Sequence, residues 1–145
     1  MRYLHTMIRV SNLEESLGFF QILGLKEIRR RDSDKGRFTN VHLAAEDDIE
    51  MAENLRAPTL ELTYNWDHEK YNGGRNFGHL AFEVNDIYAM CKNLIKEGII
   101  LSRPPRDGHM AFIKTPDGIS IELLQKGDKL PVQEPWASME NIGNW

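Results

Sequence analysis

Four residues of the types that bind metals and carry protons, His5, Glu61, His79 and Glu122, stand at corresponding points in two halves of this chain. His5-Thr-Met-Ile-Arg-Val10 with Asn12 aligns with His79-Leu-Ala-Phe-Glu-Val84 with Asp86 at a constant offset of 74 residues. Leu60-Glu61-Leu62 aligns with Ile121-Glu122-Leu123 at an offset of 61. A lone His at the edge of an apolar run is more often structural, and a lone Glu on an alternating strand more often faces solvent. Their joint recurrence argues for chemistry, because two imidazoles and two carboxylates form a ligand set suited to a first-row divalent ion. With no thiolate in the set, a metal that keeps positions open for water or substrate is expected rather than a structural zinc. A Lewis acid there polarises adjacent oxygens of a carbonyl compound, while a displaced carboxylate serves as base.

The elements that must position these groups repeat as well. Tyr3–Val10 reads as a strand, Asn12 as an N-cap with Glu15 three residues on, and Leu13, Leu17 and Phe20 as one helical face that stops at Gly24. The second half repeats the order: a strand over Phe77–Val84, a cap at Asn85 or Asp86, and Ile87, Met90, Cys91 and Leu94 on a helix ended by Gly98. Strand-like runs follow at Leu25–Arg31, Phe38–Ala44 and Thr59–Tyr64, and again at Ile99–Leu101, His109–Lys114 and Ile119–Leu124. The expected fold is therefore α+β, two tandem βαβββ modules with mixed curved sheets, covering about 1–66 and 77–126. Residues 67–76, with Gly73-Gly74, form the linker, and 127–145 a C-terminal arm. The first half carries 13 extra residues between its His and Glu, assigned to a loop insertion in the polar stretch 46–54. In the arm, Trp136 and Trp145 favour docking over disorder. Gly18, inside the first helix, marks a place where close packing is expected.

At 145 residues, 41% apolar and 28% charged, the chain fits one ordinary soluble domain. A formal charge of −4 gives no reason to expect nucleic acid, and no run is long enough for a membrane span. The chain opens directly on a patterned strand, so no secretory leader is expected. A single cysteine, Cys91, points to a reducing compartment, hence the cytoplasm.

Four strings then become recognisable: His5-Thr-Met-Ile-Arg-Val10, Leu60-Glu-Leu-Thr-Tyr-Asn-Trp66, Phe77-Gly-His-Leu-Ala81 and Thr115-Pro-Asp-Gly-Ile-Ser-Ile-Glu-Leu123. Over roughly 1–126 the chain resembles the glyoxalase I (lactoylglutathione lyase) family of the vicinal oxygen chelate superfamily. The resemblance implies one divalent metal per site, held by His5, Glu61, His79 and Glu122, at the interface of a homodimer. It implies isomerisation of the methylglyoxal–glutathione hemithioacetal to S-lactoylglutathione, by proton transfer through a metal-bound enediolate, a step of methylglyoxal detoxification. Glu122 would move the proton, with Glu61 serving the other face. Arg9, Asn65, Arg75 and Arg103 are the implied partners of the glutathione carboxylates and amides. His5 in place of glutamine, in a compact chain, resembles the members activated by Ni2+ or Co2+, with Zn2+ as the alternative.

Rivals on the same scaffold are a coenzyme A thioester epimerase, a thiol transferase, an extradiol dioxygenase and a metal-free ligand-sequestering module. The transferase and the dioxygenase need only three protein ligands, and the sequestering module has no use for four.

Overall fold

The computed structural model describes residues 1–74 and 76–144, so Trp145 lies outside the described residues. Two compact units divide between Asn72 and Gly73. No helix among the described residues is long and apolar enough to cross a membrane.

In the first unit, β1 (His5–Arg9), β2 (Lys26–Ser33), β3 (Phe38–Ala44) and β4 (Thr59–Asn65) form a sheet in the order β1-β4-β3-β2. The β1–β4 pair is parallel, and the others are antiparallel. The parallel pair is made possible by the long excursion between β1 and β4 through the rest of the unit, as parallel neighbours require. Helix α1 (Leu13–Ile22) starts where Asn12 accepts the amide of Glu15, and it buries Leu13, Ser16, Phe19 and Phe20. On β3 and β4, Val41, Leu43, Leu60 and Leu62 are buried on one face, while Asn40, His42, Glu61 and Thr63 alternate onto the other.

In the second unit, β5 (His79–Val84), β6 (Met110–Lys114) and β7 (Ser120–Gln125) are ordered β5-β7-β6, again with the outer pair parallel. The α3 helix (Ile87–Lys96) is capped by Asp86 and buries Ile87, Tyr88, Cys91 and Leu94. Burial pushes the Cys91 thiol up to about 12, which leaves it an inert core group.

Three elements depart from expectation. The insertion is not a loop: a 3₁₀ turn (Glu46–Asp48) leads into α2 (Ile49–Leu55), anchored by a fully buried Ala52. The strand expected at Ile99–Leu101 does not form. Its place beside β6 is taken by a single bridge from Arg103 to Phe112, with both Ser102 and Arg103 amides donating to the Phe112 carbonyl. Pro104 and Pro105 follow at once, and without N–H groups they end the ladder. Gly18 is not tightly packed either; it is exposed, and an added Cβ meets nothing within 4 Å. We expect Gly18→Ala to stabilise the protein by about 0.5–1 kcal/mol through helix propensity, read as a raised midpoint in urea unfolding. A loss of stability would show an unrecognised contact there.

The arm docks on its own unit. Trp136 is 7% exposed and stacks on Tyr88, with ring centroids 5.9 Å apart. Tyr88 donates to the Pro131 carbonyl, Arg106 to that of Met139, and the Leu130 amide to that of Gly108. Gly108 is obligatory here, since it has φ +67° and a Cβ would sit 2.1 Å from the Leu130 carbonyl oxygen.

Candidate metal centre and substrate site

The parallel strand pair is the device that builds each half-site. In the first unit His5 pairs with Thr59, so Glu61 lies two residues further along the neighbouring strand, on the same face. In the second unit His79 pairs with Ser120, and Glu122 again lies two residues on. The result is the same contact twice: His5 Nε2 to Glu61 Oε2 at 3.1 Å, and His79 Nε2 to Glu122 Oε2 at 3.1 Å. In both pairs the carboxylate is sheltered, at 11% and 15% side-chain exposure, while the imidazole is open at 37% and 43%. Nitrogen and oxygen donors converging on one point with an open side fit a divalent cation.

The surroundings of the two carboxylates differ. Across β3–β4, Glu61 faces His42 and also accepts a hydrogen bond from Asn40 Nδ2. Across β6–β7, Glu122 faces Phe112, whose ring meets His79 edge-on at 5.5 Å. Glu61 is thus held by amide and imidazole donors, whereas His79 is the polar group set against Glu122 among the described residues.

His42 and Asn40 escaped the sequence reading. Their signal lies in Asn40-Val41-His42-Leu43, where two polar side chains alternate with buried aliphatics and so must share the Glu61 face. Donor atoms of His5, His42 and Glu61 all lie within 4.8 Å of one another, which raises the question of a third ligand in this unit. The hydrogen bonds answer it. Arg29 Nη2 lies 3.0 Å from His42 Nδ1, and an arginine only donates. Burial, and then the Arg29 charge, lower the His42 pKa, which favours the neutral ring. Its Nδ1 is therefore the acceptor and its Nε2 carries the hydrogen, aimed at Glu61 Oε2 3.5 Å away. His42 is so placed to steady the Glu61 carboxylate.

The other sequence candidates divide. Arg9, at the end of β1, pairs with Thr63, and Asn65 lies two residues beyond on β4, so both share the face of His5 and Glu61. Asn65 donates to Glu69 Oε2 at 3.1 Å and to Tyr71 Oη at 3.4 Å. Arg75 lies outside the described residues. Arg103 clasps its own loop, donating to the Met110 carbonyl and to Asp107 Oδ2.

That clasp has a pH signature. Burial alone would raise the Asp107 carboxyl, but Arg103 and the amides of Met110 and His109 hold it down to about 2. A depressed folded value contributes stability above the unfolded pKa, near 4, and loses it as pH falls from about 4 to about 2. Asp107 is 35% exposed, so solvent screening leaves about 1 kcal/mol. We expect Asp107→Asn to lose about that much at pH 7 and to flatten stability between those pH values. An unchanged acid profile would assign the stability elsewhere.

Two tandem half-sites, each a His and a Glu on adjacent parallel strands, define a class. The chain belongs to the glyoxalase/bleomycin resistance protein/dioxygenase superfamily, whose family model matches residues 2–123. Within it, the chain is 43% identical over 132 residues to lactoylglutathione lyase of Neisseria meningitidis, covering 87% of this chain and 91% of that one. It is 38% identical over 130 residues to a probable lactoylglutathione lyase of Vibrio cholerae, covering 86% and 90%. Among solved structures, the trypanothione-dependent glyoxalase I of Leishmania major superposes with a TM-score of 0.77 at 34% identity, over 86% of each chain.

Proposed function

We propose that this protein is a lactoylglutathione lyase, converting the hemithioacetal of methylglyoxal and glutathione to S-lactoylglutathione. The observation that carries this reading is the duplicated His–Glu pair, identical in register and distance in both units, on a chain so similar to named enzymes of that activity. His5, Glu61, His79 and Glu122 are the residues we assign to the metal, with Ni2+ or Co2+ favoured over Zn2+. Bound there, the metal supplies a Lewis acid for two adjacent substrate oxygens.

The protein's own groups do the rest. Glu122 takes the proton from the carbon bearing sulfur and returns it to the neighbouring carbon, a transfer suited to a carboxylate with few competing hydrogen bonds. Glu61, steadied by Asn40 and His42, stays in place and serves the opposite face. Arg9, Asn65 and Arg75 hold the carboxylate and amide groups of glutathione, and Arg103 contributes through the loop it braces. The inert buried thiol of Cys91 suits a reducing compartment, and we place the enzyme in the cytoplasm.

We further infer that two copies pair, the N-terminal His–Glu of one completing a site with the C-terminal His–Glu of the other. Two inactive variants, Glu61→Gln and Glu122→Gln, then complement each other. Each mixed dimer holds one intact and one doubly altered site, so unfolding and refolding an equal mixture is expected to restore about a quarter of wild-type S-lactoylglutathione formation. No recovery from a mixture that has exchanged subunits contradicts the shared site.

A further inference from the structure

The first unit holds a cavity of about 480 Å³ beside the His5–Glu61 pair. Its lining is cationic and polar. Arg29, Arg30 and Arg31 line it from edge strand β2, Arg56 from the turn that ends α2, Asn40 and His42 from β3, and Leu4 from the chain ahead of β1. Register explains the gathering: Arg29 pairs with His42, and Arg31 with Asn40, so alternate β2 arginines lie on the Glu61 face. Of the arginines in this unit, Arg30 is paired with Glu27 and Arg37 with Asp67. Arg31 and Arg56 have no such partner among the described residues. Arg29 is committed to His42, and Arg56 lies near enough to disfavour its charge. Positive charge is therefore concentrated at this cavity, and among the described residues the carboxylates that answer it are Glu61 in the lining and Glu27 on Arg30.

The cations assigned to glutathione lie elsewhere. Arg9 and Arg31 occupy opposite ends of one cross-strand row, Arg9–Thr63–Asn40–Arg31, three strand spacings or about 14 Å apart. One ligand group cannot use both ends. With the thiol on the β1 side and the His5–Glu61 pair between, the β2 side is left for the carbonyl half of the substrate. From Glu61 to β2 is two strand spacings, about 10 Å, which an arginine side chain and a short carbon tail span together.

We propose that this cavity receives the 2-oxoaldehyde half of the hemithioacetal and selects one whose carbon chain ends in a carboxylate. The inference rests on the isomerase reading above. The reaction is unchanged by the tail. The carbon bearing sulfur gives its proton to the neighbouring ketone carbon, the hydroxyl proton on the first carbon passes to the ketone oxygen, and the first carbon becomes the thioester carbonyl and the second the alcohol, with no co-reactant consumed. The carboxylate stays intact, held by Arg31 and Arg56 through charge-assisted hydrogen bonds.

The test compares kcat/KM of the metal-loaded enzyme for glutathione hemithioacetals of 4,5-dioxopentanoate, of its methyl ester, and of methylglyoxal. The acid is expected to exceed the ester by about tenfold, the worth of one charge-assisted hydrogen bond. In the double variant Arg31→Thr, Arg56→Asn that ratio is expected to fall towards one. Both positions are exposed, threonine suits a strand, and asparagine tolerates the left-handed backbone at position 56, where φ is 58°. Equal rates for acid and ester, or a ratio that survives the double variant, overturn the cationic pocket while methylglyoxal turnover keeps the isomerase reading. No turnover of any of the three overturns that reading, and the pocket proposal with it.

Discussion

Glu122→Gln is expected to lower kcat by about 10²- to 10⁴-fold, the usual contribution of a positioned general base. The asymmetry of the half-sites is the reason to expect the larger loss here. Glu61 is buried and clasped by Asn40 and His42 as well as His5, an arrangement that fixes a ligand. Glu122 has His79 as its polar neighbour among the described residues, and the edge of Phe112 beyond. A carboxylate that takes a proton from one carbon and delivers it to the next needs that freedom. Glutamine keeps the shape and removes the base. The accompanying readout is exchange of the proton on the carbon bearing sulfur, which should cease along with turnover. A variant that retains more than a tenth of wild-type kcat would remove Glu122 from the proton path.

Metal removal is expected to abolish activity reversibly, and the choice of metal on reloading is expected to matter. Four protein donors would complete the tetrahedral shell that zinc takes in closed sites. An ion that favours six ligands would have room beyond the same four donors for substrate oxygens. Stripped protein should therefore regain full activity with Ni2+ and less than about a tenth of it with Zn2+, although both bind to an N₂O₂ set. Equal activity with the two metals would leave the reaction intact but refute the coordination argument. Activity that persists in protein shown to be metal-free would refute the metal mechanism altogether.

The His–Glu pairs were legible in the sequence because duplication writes the same pattern twice, and the parallel register turns that pattern into the same geometry. Caps were legible for a local reason, since Asn12 and Asp86 satisfy amides three residues away. What escaped depends on partners distant in the chain. His42 gains its meaning only when β3 is laid beside β4 and Glu61, 19 positions on. The arginines at 29–31 read as one charged run, but all three line the cavity, where Arg29 lies against His42 and Arg30 is paired with Glu27. Helix α2 was hidden by its acidic surface, with Ala52 as its one fully buried residue. The strand at Ile99–Leu101 was over-read, because three apolar residues outweighed the two prolines that follow so closely.

The most direct measurement is S-lactoylglutathione formation from methylglyoxal and glutathione by the nickel-loaded protein, with the His5→Ala, His79→Ala double variant alongside. Turnover is expected from the first, and from the second neither turnover nor stoichiometric metal. A folded, metal-loaded protein that forms no S-lactoylglutathione would contradict that expectation.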